Sequence, residues 1–311
     1  MKTYIFDPIH QVALDAANEI GEIVKWDNPE VKEYSDAEAI IVRTTIVDKN
    51  RIDSMPKLRI IAKHGIGTDN IDLKYAKEKG IFVTNTPTAN MTSVAELAVT
   101  LALSCARQIP RSNMLTKNGL EILAPRELTG LELSGKTVGL IGAGRIGQKI
   151  GEIFREGLGM NLSCYDPYLS EELADKLGLK KYDKLLDMLR DADVVSISVP
   201  LTESTINLIA EKELEAMKET AILVNTARGK IVNEKALYEA LLNNRIKYAA
   251  MDVFEIEPPK KDNPLLSLDN FIATPHIGAA TEEALVNMGL TAVEEIKMVL
   301  QGKTPRYIVN Q

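Results

Sequence analysis

Residues 137–147 read TVGLIGAGRIG, and residues 148–157 continue QKIGEIFREG. The first five predict a buried strand and the last ten a helix. Between them lies Gly142-Ala143-Gly144-Arg145-Ile146-Gly147. A bare GxGxxG marks many ordinary turns, but a strand before it and a helix after it give each glycine a task. Gly142 allows the tight turn, Gly144 the close approach of a pyrophosphate, and Gly147 the packing of helix on strand. The helix start then offers free N–H groups and a favourable dipole to phosphate oxygens, near Arg145 and Ile146. The next strand ends at Asp166, in SCYDPY. A carboxylate there accepts hydrogen bonds from both ribose hydroxyls and repels a 2′-phosphate, which favours NAD over NADP as cofactor. The ordinary alternative is a strand-end turn residue before Pro167.

Working outward, apolar runs at 137–141, 162–165, 194–199, 221–225, 248–253 and 271–274 alternate with charged helical stretches. That is the pattern of a doubly wound parallel sheet. A second series lies upstream, with strands predicted at 4–6, 23–26, 39–43, 59–63 and 81–84. Residues 92–118 read as one long helix, with Ser93 and Glu96 at capping-box spacing and Pro110 as a kink or stop. Residues 281–302 read as a final helix. The fold class is therefore α/β: two doubly wound parallel-sheet domains, one Rossmann-type and dinucleotide-binding, the other smaller and flavodoxin-like.

The chain has 311 residues, 45% hydrophobic and 26% charged, enough for two cores. A net charge of -7 argues against nucleic acid or an anionic membrane as partner. The first ten residues read as a strand start, no run is long enough for a membrane span, and Cys105 and Cys164 read as buried thiols. A cytoplasmic setting is expected.

Three segments fall at predicted strand ends of the second series: NTARG with Arg228, DVFEIEP with Asp252 and Glu257, and TPHIGAAT with His276. Ligands bind beyond the carboxyl ends of such strands. Moving a hydride to or from an alcohol carbon needs a group that takes or gives the hydroxyl proton, and histidine titrates in the right range. Glu257 is the carboxylate that would orient His276, and the planar fork of Arg228 suits a substrate carboxylate. Singly, each has an ordinary reading as a loop ion-pair residue, a turn residue or a hydrogen-bonded histidine. Their joint placement carries the assignment.

These residues, with VRTT, KHGIGTDNIDL, SVAELAVTLAL, GKTVGLIGAGRIG, NTARGKIVNEKAL and TPHIGAAT, resemble the D-isomer-specific 2-hydroxyacid dehydrogenases from about Ala39 to about Leu300. The resemblance implies a catalytic set of Arg228, Glu257 and His276. It puts cofactor contacts at Val199, Pro200, Thr226, Ala227, Asp252, Gly278 and Ala279. It implies a small-molecule 2-hydroxy acid substrate approached by Arg43, Thr44, Lys63, Gly65 and Asn90. It further implies a substrate domain of 1–98 plus 282–311 around a nucleotide domain of 99–281; two such domains, joined by the helix starting near Ser93 and the segment before Thr281, are expected to form a hinged cleft. A homodimer or higher homo-oligomer is implied, with residues 118–133 as an arm. Within the family the branch oxidising 3-phosphoglycerate is nearest. Lys63 and His64 depart from that branch, and the regulatory domain many of its members carry is expected to be missing. Sulfolactate, glyoxylate, hydroxypyruvate and lactate stay open as substrates, as does an NAD-sensing corepressor role. Arg43 and Lys63, both at strand ends, point to a second anionic group on the substrate, with pairing to Asp69 or Asp72 as the alternative.

Overall fold

Runs such as AIIV (Ala39–Val42) and ILVN (Ile222–Asn225) are buried at every position, so both faces of their sheets are covered. The computed structural model describes residues 2–29, 33–119 and 126–311. The chain divides into two units, Met1–Met91 with Ala279–Gln311, and Thr92–Gly278.

The first unit holds β1 (Lys2–Ile5), β2 (Glu22–Val24), β3 (Ala39–Val42), β4 (Ile60–Lys63) and β5 (Phe82–Thr84), all parallel, in the order β2-β1-β3-β4-β5. That is the flavodoxin-like order. Alternate residues serve opposite faces. Ile40, Val42 and Ile61 pack with Ile52 and Ala76 on one face. Ile41, Ile60 and Ala62 pack on the other with Ala13 and Leu14 of helix Gln11–Ile20 and Ala292 and Ile296 of helix Glu282–Leu300. These helices approach closely because Gly289 has no Cβ to overlap Ala13. The buried carboxylate of Glu295 holds Arg306 and Tyr307, and Val309 then bonds back to Val83 on β5.

The second unit holds β6 (Thr137–Ile141), β7 (Asn161–Tyr165), β8 (Lys180–Lys181), β9 (Val194–Ile197), β10 (Ile222–Asn225), β11 (Tyr248–Met251) and β12 (Phe271–Ala273). Their order is β12-β11-β10-β9-β6-β7-β8, again all parallel. Counted within the unit, this is the dinucleotide-binding order with one strand added beyond the sixth. The sequence reading missed β8, whose two lysines carry no apolar signal; charge suits a short edge strand.

One expectation is corrected. Residues 92–118 form two helices, Met91–Ala106 and Ile109–Lys117, with Gln108 between them in a left-handed conformation, φ 51°. Pro110 has no N–H to donate, and its ring would press on the carbonyl of Ala106, so the first helix stops there and Pro110 opens the second. Ser93 lies inside the first helix and is not its cap. That helix packs Ala95, Ala98, Ala102 and Cys105 on the sheet face formed by Val138, Leu140 and Val224. Several strands also end a residue or two earlier than read, which leaves Arg43, Val199, Val253 and Thr274 on loops at the carboxyl edges. The expected arm 118–133 includes residues 120–125, which lie outside the described residues. Among the described residues, no helix is long and apolar enough to cross a membrane.

Candidate active site

Each glycine of the β6 turn meets a different physical demand. Gly142 sits at φ 89°, and a Cβ there would come within 2.7 Å of Val199. A Cβ on Gly147 would overlap the carbonyl oxygen of Gly142, so the helix Arg145–Leu158 lies directly against the turn. At Gly144 a Cβ would meet nothing within 4 Å. Gly144 is also the helix N-cap, and no side chain caps the N–H groups behind it. The turn thus presents an exposed, uncapped helix start flanked by exposed Arg145 and half-buried Ile146.

Asp166, beyond the end of β7, accepts from Ala143 N at 2.9 Å with one oxygen and from Tyr168 N at 2.9 Å with the other. It fixes the glycine turn against the neighbouring strand end. Val199 and Pro200 follow β9, half-buried and exposed respectively. The hydroxyls of Ser198 and Thr226, beyond β9 and β10, are buried and have no hydrogen-bond partner among the described residues. Leaving a buried donor unsatisfied costs roughly 1–3 kcal/mol, so these atoms suit a polar ligand at this edge. With the open side of Gly144 they fit a dinucleotide.

The loop after β10 is shaped by buried Asn225, whose Oδ1 accepts from Ala227 N at 3.0 Å and whose Nδ2 donates to Arg228 O at 2.9 Å. A Cβ on Gly229 would overlap the backbone of Phe254, so the Arg228 loop lies against the loop after β11. In that loop the N–H of Phe254 donates to Glu257 Oε1 at 3.0 Å. The other oxygen, Oε2, lies 2.6 Å from His276 Nδ1. Burial pushes the Glu257 carboxyl up, but the His276 and Phe254 hydrogen bonds and the charges of His276 and Arg228 outweigh it and hold it below the usual carboxylate range. An ionised carboxylate only accepts, so Nδ1 carries the proton and Nε2 is left to face a reactant. Arg228 turns one guanidinium nitrogen to its neighbour's carbonyl, Ala227 O, at 2.7 Å.

His276 is held in a left-handed conformation, φ 54°, by Asp252. The Asp252 carbonyl accepts from His276 N at 2.8 Å. Its buried carboxylate accepts from Thr274 Oγ1 at 2.6 Å and from the N–H groups of Ile277 and Gly278, each at 2.8 Å. Asp252 is thus the anchor of the His276 loop, whatever else it contacts. Ala279, which follows, is half-buried and belongs to the first unit.

In the first unit, Lys63 is buried and its ammonium donates to Arg43 O and Asn70 Oδ1, both at 2.5 Å. Thr44 gives both its N–H and its hydroxyl to Asp7. Gly65, at φ 142°, exchanges bonds with buried Thr86. Asn90 Oδ1 is buried and has no partner among the described residues. The Arg43 guanidinium, half-buried, makes no hydrogen bond or ion pair among the described residues. Asp7, Asn70 and Thr86 went unread in the sequence. A charged residue just past the apolar run of β1 was the available signal for Asp7.

Comparison with known proteins agrees with this geometry. Residues 99–278 match the NAD binding domain of the D-isomer specific 2-hydroxyacid dehydrogenases. The chain is 43% identical over its whole length to the D-3-phosphoglycerate dehydrogenase of Methanocaldococcus jannaschii, and spans 59% of that relative's length. It is 44% identical to the hydroxypyruvate reductase of Thermotoga maritima, over 86% of each chain. The crystal structure of the TT0316 protein from Thermus thermophilus superimposes with a TM-score of 0.91 at 33% identity, covering 99% of this chain and 100% of that one. The chain belongs to the D-isomer specific 2-hydroxyacid dehydrogenase family, with its NAD-binding domain at residues 99–278.

Proposed function

We propose that this chain interconverts a D-2-hydroxy acid and its 2-oxo acid with NAD, and that 3-phosphoglycerate, oxidised to 3-phosphohydroxypyruvate, is its substrate. The carrying observation is the 2.6 Å contact between Glu257 and His276 Nδ1, which leaves Nε2 to do the chemistry. When bound, NAD supplies the hydride acceptor. His276 Nε2 takes the hydroxyl proton as the hydride leaves C2 and the carbonyl forms; in reduction it returns that proton. Glu257 stabilises the protonated ring, and Arg228 holds the substrate carboxylate. Asp166 reads the ribose and excludes a 2′-phosphate, so specificity constants should favour NAD over NADP.

Two observations favour a phosphorylated substrate: the relative of that specificity matched along the whole of this chain, and the guanidinium of Arg43, which has no partner among the described residues. A second reading, a short-chain reductase acting on hydroxypyruvate or glyoxylate, draws on the Thermotoga maritima relative and on the Lys63 ammonium already donating to Arg43 O and Asn70 Oδ1. A panel of D-2-hydroxy acids and 2-oxo acids, followed by NADH absorbance, separates the two. A higher kcat/KM for 3-phosphoglycerate than for glycerate or lactate is expected, and preference for the short acids would reverse the choice. Absence of turnover on every member would favour an NAD-sensing binding protein instead.

A further inference from the structure

The carboxylate of Asp7, just past β1, is 7% exposed and collects five donors from one short segment. Its Oδ2 accepts from the N–H groups of Arg43, Thr44 and Thr45, at 2.6, 3.1 and 3.2 Å. Its Oδ1 accepts from the hydroxyls of Thr44 and Thr45, at 2.8 and 3.0 Å. Three successive N–H groups converging on one oxygen form an anion nest of the kind that elsewhere holds a phosphate. Here the anion belongs to the protein. Burial pushes the Asp7 carboxyl up, yet its hydrogen bonds hold it below the usual carboxylate range, so it stays ionised.

The same segment is gripped from its carbonyl side. Lys63 Nζ donates to Arg43 O at 2.5 Å, and Asn70 Nδ2 donates to Thr45 O at 2.6 Å. With N–H groups and carbonyls both engaged, the backbone of residues 43–45 has little freedom. The guanidinium of Arg43 is left outside the network, without a partner among the described residues. A strand end does not require a buried charge, and burying one is costly unless every lone pair is used. Holding the backbone of Arg43, and with it the direction in which its side chain leaves the chain, gives that charge a purpose.

We propose that Asp7 is a positioning residue: by fixing the backbone of residues 43–45 it aims Arg43 at the anionic tail of the substrate. This rests on the reading of Arg43 as the tail-binding group. Asp7→Asn puts an amide donor where an acceptor is needed, with almost no change in size. Its KM for 3-phosphoglycerate should rise about tenfold, the order of one charge-assisted hydrogen bond, with kcat within about twofold. Its KM for D-glycerate, which has no charged tail, should stay within about twofold. In an Arg43→Ala background, Asp7→Asn should add nothing to the KM for 3-phosphoglycerate. Thr45→Val removes one donor of the five and serves if Asp7→Asn does not fold; a rise in the same direction, smaller and confined to the phosphorylated substrate, is expected. If Arg43→Ala raises that KM while Asp7→Asn, or Thr45→Val in its place, leaves it unchanged or impairs both substrates equally, the positioning role is wrong. If Arg43→Ala itself leaves it unchanged, the tail-binding reading of Arg43 has failed first.

Discussion

In both units the first strand in chain order, β1 and β6, runs into a helix, and the two turns are built in opposite ways. After β1 the chain places Asp7, which gathers five donors, and His10, whose Nδ1 accepts from Val12 N and caps helix Gln11–Ile20. After β6 it places Gly142, Ala143 and Gly144, and the helix that follows has no side-chain cap. One turn satisfies its own polar groups; the other leaves the helix N–H groups without a side-chain cap and, nearby, the hydroxyls of Ser198 and Thr226 without partners among the described residues. A turn that completes itself can be rigid without a ligand. A turn left incomplete gains its missing hydrogen bonds when a ligand arrives, so part of the ligand's binding energy is the relief of unsatisfied donors. The same fold element is thus a clamp in one unit and a receptor in the other.

The sharpest test of the receptor side is His276→Ala. Loss of an acid–base group lowers turnover by about 10²–10⁴-fold, and NAD affinity should hardly change because the open turn is untouched. Stopped-flow turnover and NAD titration by fluorescence check the two halves. Glu257→Gln should move the pH profile of 2-oxo acid reduction to lower pH, because the protonated ring loses its counter-charge. An unmoved profile would argue that the 2.6 Å pair is structural.

The glycines separate binding from folding. Gly144→Val enters open space, so the melting temperature without NAD should hold while NAD affinity drops about tenfold or more, a loss worth at least one hydrogen bond. Gly147→Ala meets the Gly142 carbonyl and should cost roughly 1–3 kcal/mol of stability, as overpacking does. Equal effects of the two on melting would erase the distinction.

Most of the receptor was legible in the sequence because its signals are local. The glycine triplet, the acid ending the next strand and the three strand-end segments each occupy a few consecutive residues. The clamp was not. Asp7 and its donors lie 36 to 38 residues apart, and nothing near Asp7 says which partners a strand-end acid will find. Lys63 shows the same limit: its sequence neighbourhood does not reveal that its ammonium donates to the amide of Asn70 and to a carbonyl on the neighbouring strand's loop. The helix break at Gln108 was half legible, since Pro110 announced a stop but not the left-handed residue that makes it.

Acid should weaken the clamp side. His64, after β4, is buried with one ring nitrogen unpartnered among the described residues. Burial first, then the positive charge of Arg43, pushes it down from 6.5 to about 4, against the pull of the Leu285 carbonyl. The unfolded chain therefore takes the proton first as pH falls. The stability that neutral His64 contributes is intact above about 6.5 and is lost between there and about 4, up to ~3 kcal/mol in all. Urea midpoints across that window should fall less steeply for His64→Gln than for the wild type. Parallel slopes would place the acid sensitivity elsewhere.

The smallest expected effect opens the clamp's own helix. His10 Nδ1 accepts from Val12 N at 3.2 Å while Nε2 donates to Glu282 at 2.6 Å, an arrangement that suits the neutral ring. His10→Ala leaves the start of helix Gln11–Ile20 as bare as the one after Gly144. Losing a cap costs about 1 kcal/mol, and the exposed pair with Glu282 adds little to that. His10→Asn should restore the cap, since its shorter side chain still offers an acceptor, although it abandons Glu282. Denaturation midpoints of the three forms, with kcat and KM unchanged throughout, decide whether the cap or the pair matters. If Asn fails to rescue, the contact with Glu282 is the stabilising one, and the contrast between the capped helix after β1 and the uncapped helix after β6 loses its energetic meaning.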